Sequence, residues 1–233
     1  MPLESRPFLV GKDWRTSTVT TSVRNPFTQA IIAQVCLAGP REAEEATVQA
    51  VVAFETMRSM PSHARARALQ AIADGVKARQ EEFAQTIVAE GGKPILDARR
   101  EVGRAIQTLI LAAEEAKRMP GEVVPLDLTP GMDSYLGMTQ RFPIGPVLGI
   151  TPFNFPINLV MHKVAPCFAV GNPIVIKPAP QTPLTALKLG EVVLESGLPA
   201  GAFSVLPCEN AVAERLVVDP RYQMLSFTGS APV

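Results

Sequence analysis

No apolar run in this chain approaches the roughly 20 residues that cross a bilayer, and the stretch Met1–Val10 holds no apolar segment long enough for a secretory leader. A cytoplasmic protein with no membrane partner is expected. Net charge is missing too: 22 lysines and arginines balance 22 aspartates and glutamates, which removes the long-range field that draws proteins to nucleic acid. Cysteine is scarce. Cys36, Cys167 and Cys208 are odd in number, widely spaced and outside any C-x-x-C pattern, so neither a disulfide framework nor a thiolate zinc site is expected and each reads as structural. The two histidines, His63 and His162, have no ligand partner three or four residues on. They read as surface or capping residues, and no metal site is expected. Sequence repeats and low-complexity tracts are absent as well.

What is present is a large apolar fraction, 47% of 233 residues, enough for one large domain or one and a half ordinary ones with an ample core. The chain is organised around Gly145–Pro180. Val147-Leu148-Gly149-Ile150 is short, apolar and ends at Thr151-Pro152, which suits a buried parallel strand opening into a loop. Leu159, Lys163, Pro166 and Val170 allow a helix that Gly171-Asn172-Pro173 stops, and Ile174-Val175-Ile176 is a second strand. Ligands of open α/β sheets gather at the carboxyl ends of strands, and Asn154 and Lys177 both fall there.

Around this unit, Leu9–Val35 reads as short surface strands, and Glu42–Met60 as an amphipathic helix through Ala46, Ala50, Ala53 and Phe54. Ser62 is expected to cap a second helix with Leu69, Ile72 and Val76 inside; a third, around Phe83, Ile87 and Val88, stops at Gly91-Gly92. The fourth runs to Lys117 with Val102, Ala105, Ile106, Leu109 and Ala113 on its apolar face and Arg99, Arg100, Glu114 and Glu115 solvated. Turns and incomplete period-2 alternation between Pro120 and Pro143 predict a projecting hairpin. Then come a helix over Pro183–Ser196 with Leu184, Leu187, Val193 and Leu194 available for burial, a strand at Phe203–Leu206, a short helix at Ala211–Val217 and a strand at Met224–Phe227. The fold class is α/β: a Rossmann-like, open, mainly parallel sheet covered by helices on both faces, with an N-terminal helical segment and the hairpin.

Thr151–Pro156 reads TPFNFP, Lys163 follows nine residues after Asn154, and Gly171–Pro183 reads GNPIVIKPAPQTP. Together with EGGKP at Glu90–Pro94, EEAKRMPGEVVP at Glu114–Pro125 and SFTGS at Ser226–Ser230, in that order, this resembles the aldehyde dehydrogenase superfamily. The match covers nearly the whole chain and stops at Val233, about midway through such a protein. The resemblance implies an incomplete aldehyde dehydrogenase fold: residues 1–124 as the N-terminal part of the dinucleotide-binding domain, 125–144 as an oligomerisation hairpin, 145–233 as the Rossmann-like cofactor segment, and no catalytic domain. The Rossmann G-x-G-x-x-G is absent, as it generally is in that family.

The same resemblance implies roles for single residues. Asn154 donates its amide to an oxygen that gains charge, where the bland alternative is a turn asparagine between Pro152 and Pro156. Lys177 binds the adenine ribose, against a lysine whose stem lies on apolar surface with its ammonium in solvent. Lys163 lies near the nicotinamide and a proton path, against an ordinary helix-face lysine. Thr228-Gly229-Ser230 meets the pyrophosphate ahead of a helix N-terminus, against a turn that needs glycine for geometry alone. Implied catalytic residues are Asn154 and Lys163; implied cofactor contacts are Ile150, Thr151, Pro152, Phe153, Lys177, Ala179, Pro180, Gly229, Ser230 and Val233. NAD or NADP is the cofactor, an aldehyde the substrate of the complete enzyme, and the complete enzyme is a homo-oligomer. Two departures matter. Pro180 stands where many members carry a glutamate for the ribose hydroxyls, and the family's downstream glutamate and catalytic cysteine have no counterpart in this sequence. The expected activity is NAD(P)-dependent oxidation of an aldehyde to a carboxylic acid, with this chain supplying the cofactor half and inactive alone; the alternative is a non-catalytic remnant that binds nucleotide or associates with a complete subunit.

Pro180 generates the first prediction. A carboxylate there would repel a 2′-phosphate and hold the free hydroxyl, so with proline in its place NADP is accepted at least comparably with NAD. Dissociation constants favouring NAD by about a hundredfold, some 2.7 kcal/mol, would contradict it.

Overall fold

The structure is a computed structural model and describes residues 5–231. In chain order, five strands come first: β1 Ser5–Arg6, β2 Phe8–Val10, β3 Asp13–Arg15, β4 Thr20–Arg24 and β5 Ile31–Cys36. Four helices follow, α1 Pro40–Ser59, α2 Ser62–Ala78, α3 Gln80–Gly91 and α4 Ile95–Ala116, and then the pair β6 Glu122–Pro125 and β7 Leu136–Thr139. The remainder alternates: β8 Val147–Ile150, α5 Asn158–Val170, β9 Ile174–Lys177, α6 Leu184–Leu194, β10 Phe203–Val205, α7 Asn210–Val217 and β11 Met224–Phe227.

The main sheet has the order β11-β8-β9-β10-β2-β3. Its first four strands are parallel, and β2 and β3 extend it antiparallel. The α/β class with a mainly parallel sheet is therefore what the chain adopts. A smaller sheet has the order β1-β5-β4, and β6 pairs with β7 alone. Register aligns the strand ends: Ile150 faces both Lys177 and Phe227, so the chain leaves β8, β9 and β11 along one edge.

Local sequence accounts for most elements. Ala43, Ala46, Ala50, Ala53 and Met57 recur at helical spacing and are all buried, which fixes the inner face of α1. On α4 the same role falls to Ala98, Val102, Ala105, Leu109 and Ala113. Every residue of β9 is buried, as a strand covered on both faces requires. No described helix is long and apolar enough to cross a membrane.

Four expectations need correction. Strand β2 is not a surface strand: Phe8, Leu9 and Val10 are fully buried because the strand inserts beside β10. Ser62 does not cap α2; it is the first helical residue after an extended Pro61, and no side chain caps that helix. Leu194, on the last turn of α6, remains 38% exposed while Val192 and Val193 take the inward positions. Cover on both faces fails at the β11 edge, where Met224, Leu225 and Phe227 are 49%, 43% and 43% exposed. The hairpin is present, and its first strand starts on the N-terminal side of residue 125.

Helix α5 stops at Gly171, whose φ of 93° and ψ of 30° are left-handed, with its N–H donating to the Cys167 carbonyl at 3.0 Å. A Cβ there would lie 2.8 Å from the Met57 carbonyl oxygen. Gly171→Ala should therefore destabilise the chain by about 1–3 kcal/mol, read from a lower urea midpoint at unchanged slope. A midpoint within error of the parent would show that the cap relaxes freely.

Candidate cofactor and oxyanion site

Two hydrogen bonds lace the aligned strand ends together. The Thr151 N–H donates to the Lys177 carbonyl at 3.2 Å, and the Thr228 N–H to the Ile150 carbonyl at 3.1 Å. Beyond them the chain climbs to the surface: Thr151 is buried, Ile150 and Pro152 are half-buried, and Phe153 and Asn154 are exposed. The Asn154 carboxamide makes no hydrogen bond among the described residues, while its backbone carbonyl accepts one from Lys93 Nζ at 2.8 Å. It is not a turn asparagine whose side chain holds its own loop. At the end of β9, Lys177 is only 8% exposed, and its ammonium has no hydrogen-bond partner among the described residues. Ala179 is buried, Pro180 exposed, and the hydroxyl of nearby Thr182 is buried without a partner. Gly229 and Ser230 are exposed after β11; Val233, and any helix after Ala231, lie outside the described residues.

Lys163 is not an ordinary surface lysine of a helix. It is 6% exposed, and its ammonium donates to Thr228 Oγ1 at 2.8 Å and Ser226 Oγ at 3.2 Å. The stem crosses the sheet over Gly149, where a Cβ would meet Lys163 Cδ at 3.3 Å and Ile176 Cδ1 at 2.5 Å. Loss of water holds the ammonium below the usual lysine pKa, with Cys167 working in the opposite direction. Sequence reasoning missed Ser226 as a partner, although two hydroxyls at i and i+2 share one side of a strand.

A cavity of about 630 Å³ lies beside the loop, and Lys93, Arg100, Arg104, Phe153, Asn154 and Phe155 line it. Lys93 pairs with Glu101, and Arg100 with Asp97 at 3.1 Å. Arg104 has no carboxylate partner among the described residues, and its guanidinium lies 5.7 Å from the Phe155 ring centroid. No group of three or more potential metal ligands occurs among the described residues.

The profile of the aldehyde dehydrogenase family matches residues 14–233. This chain belongs to that family. Its fold is that of the N-terminal part of a family member: over 100% of this chain and 49% of the other, it superposes with a TM-score of 0.96 and 41% identity on aldehyde dehydrogenase 21 from Physcomitrella patens, solved with the reaction product succinate. A 3-sulfolactaldehyde dehydrogenase of Priestia aryabhattai is 41% identical over 96% of this chain and 47% of the relative. An NADP-dependent glyceraldehyde-3-phosphate dehydrogenase from Bacillus halodurans C-125, complexed with NADP, gives a TM-score of 0.93 at 31% identity, covering 97% of this chain and 48% of that one. The chain thus spans about half the length of the curated relatives it matches.

In this chain two buried carboxylates hold the helices that follow the strand ends. Glu101 accepts the Ile157 and Asn158 N–H groups, at 3.1 and 3.2 Å, at the start of α5. Glu90 accepts the Leu184 N–H at 2.7 Å, the Thr185 N–H at 3.0 Å and the Thr185 hydroxyl at the start of α6. Both escaped sequence reasoning. The available signal was position: Glu90 continues the spacing of Phe83 and Ile87, and Glu101 lies between Ala98 and Ala105, so each interrupts an apolar stripe.

Burial pushes the Glu90 carboxyl up to about 7, past the opposing pull of the Thr185 and Leu184 donors, and the nearby charge of Glu101 adds to the rise. From the ordinary value of 4.5 up to about 7, the folded chain keeps a proton that the unfolded chain has lost. Stability should therefore fall as pH rises through that window, by about 3 kcal/mol at most. Urea unfolding from pH 4.5 to 7.5 checks this, with Glu90→Gln expected to flatten the slope. The same slope in that variant would assign it to other groups.

Proposed function

We propose that this chain is the cofactor-binding half of an NAD(P)-dependent enzyme that oxidises an aldehyde to a carboxylic acid. The observation that carries the reading is the free Asn154 carboxamide on the loop after β8, with the unpartnered Lys177 ammonium at the neighbouring strand end. A lysine whose stem is buried and whose unpartnered ammonium reaches the surface suits the hydroxyls and phosphates of a dinucleotide, and the exposed amide suits an oxygen that becomes anionic. When bound, the dinucleotide accepts hydride. Lys177 holds the adenine ribose, the turn at Gly229 and Ser230 faces the pyrophosphate, and Ile150–Phe153 and Ala179-Pro180 supply the walls. Lys163, fixed to Thr228 and Ser226, sets the position of the strand end that carries that turn.

The cavity supports a substrate class. Lys93 is neutralised by Glu101 and Arg100 by Asp97, which leaves Arg104 as the cation free for an acidic group on the substrate. Three of the relatives have names that run the same way, since sulfolactaldehyde carries a sulfonate, succinate carboxylates and glyceraldehyde-3-phosphate a phosphate, whereas a lactaldehyde and a betaine aldehyde dehydrogenase do not. The favoured substrate is an aldehyde with an anionic group. Homo-oligomer formation through the hairpin belongs to the same reading, because Val123, Leu136 and Met138 are each 72% exposed there.

The thiols favour no turnover by this chain alone. Burial pushes the Cys167 thiol up to about 12 and the Cys208 thiol to about 11, so neither supplies a thiolate near neutral pH. That also keeps in play a nucleotide-binding or subunit-associating protein without catalysis. Calorimetric titration with NADP, then assays on the chain completed by a thiol-bearing catalytic half, separate the two. Completed protein should oxidise carboxylate- or sulfonate-bearing aldehydes with at least about tenfold the kcat/KM of propanal, and Arg104→Met should erase that advantage. Asn154→Ala should lower kcat by about a hundredfold or more while NADP binding holds. Bound NADP without oxidation of any aldehyde would sink the enzyme reading, and undiminished turnover in Asn154→Ala would remove that residue from the chemistry.

A further inference from the structure

The loop from Asn154 to Asn158 is held from one side by two side chains. Lys93, in the turn between α3 and α4, directs its ammonium to the Asn154 carbonyl at 2.8 Å, to Glu101 Oε2, and over the Phe155 ring with 3.9 Å to the centroid. The other oxygen of Glu101 accepts the Ile157 and Asn158 N–H groups. The Glu101 side chain is completely buried and that of Lys93 is 16% exposed, so the pair is sheltered from the water that weakens surface ion pairs. A carbonyl, a ring and two amides of one short loop thus depend on one ion pair, while the exposed Asn154 carboxamide, like the buried Asn158 Oδ1, has no hydrogen-bond partner among the described residues.

We propose that the Lys93–Glu101 pair is the positioning device of the Asn154 loop and sets the direction in which the Asn154 carboxamide points. This rests on the oxyanion reading of Asn154. Lys93 reaches no reacting atom: its donors are spent on Glu101 and on the Asn154 carbonyl, which fixes the backbone next to the amide. Removing Lys93 leaves the Glu101 carboxylate buried without its cation, and it is then expected to draw water into the loop, loosening the very amides it holds. An arginine at position 93 keeps the charge and several donors, and so retains part of the hold.

The test combines amide hydrogen exchange with a kinetic cycle. In Lys93→Met, exchange at Ile157 and Asn158 should accelerate at least about tenfold while strand amides of β9 and β10 stay within about twofold; Lys93→Arg should lie near the parent. Glu101→Gln, which keeps an acceptor but loses the charge, provides a second variant should Lys93→Met fold poorly, with acceleration again confined to the loop. In the chain completed as above, Lys93→Met should lower kcat about tenfold with the dinucleotide KM unchanged, and should cost almost nothing further in an Asn154→Ala background. That loss of additivity is a mark a merely structural residue would not leave. Unchanged exchange at Ile157 and Asn158, equal acceleration throughout the fold, or a full kcat loss in the Asn154→Ala background overturns the proposal. Absence of aldehyde oxidation by the parent would count against the functional reading alone, and exchange would then decide whether the pair holds the loop.

Discussion

Two carboxylates placed inside the protein, each receiving the first amides of a helix, fix how the helical layer meets the sheet. Glu90 takes the N-terminus of α6, and Glu101 takes that of α5. Neither helix has a capping hydrogen bond from its own N-cap residue, so the amides that a local side chain ordinarily satisfies are satisfied from α3 and α4 instead. A helix N-terminus carries partial positive charge, which offsets part of the cost of burying an anion. That offset is incomplete for Glu90, where burial outweighs the donors. The arrangement therefore trades stability for geometry: α5 and α6 follow β8 and β9, and their starting points determine where the two loops leave the sheet.

From those fixed points the rest of the site follows by close approach. Gly149 gives β8 no side chain on the face that α5 crosses, and Lys163 lays its stem in the space. Its ammonium then reaches across the sheet to the hydroxyls at the end of β11, joining the edge strand to the helix layer. Any side chain at position 149 would collide with Ile176 on the neighbouring strand, so the glycine serves the sheet packing and the lysine path at once.

How much of this could be read from residues alone depended on range. The β8-α5-β9 unit was legible because its signals are local: two apolar runs, a polar turn, and Gly171 in the left-handed conformation a helix stop requires. Strand β2 was not, since three residues carry no period and their burial comes from pairing with β10, nearly two hundred residues away. For Lys163 the sequence left a nicotinamide-side lysine and a helix-face lysine both open, because its burial is made by Gly149 and by the hydroxyls of Ser226 and Thr228. Glu90 and Glu101 were visible only as charges on an apolar stripe, and their partners sit on helices that the stripe does not name. Asn154 and Lys177 were placed at strand ends by the sequence; the free amide of one and the buried stem of the other needed coordinates.

The hairpin obeys a different rule from the core. Its four-residue strands β6 and β7 pair only with each other, and the side chains of Val123, Leu136 and Met138 project with most of their surface in water. A two-stranded hairpin of this length is marginal by itself, and the free energy of about 25 cal/mol for each Å² of apolar surface is forgone while those side chains stay wet. Pairing within the hairpin satisfies its backbone, so what remains uncovered is one apolar surface and two strand edges. Both are features that another apolar surface would cover by packing and strand addition. A monomer leaves them as an aggregation hazard. Exposed apolar surface thus lies both on the hairpin, away from the strand-end site, and on the β11 edge that leads into the Gly229-Ser230 turn.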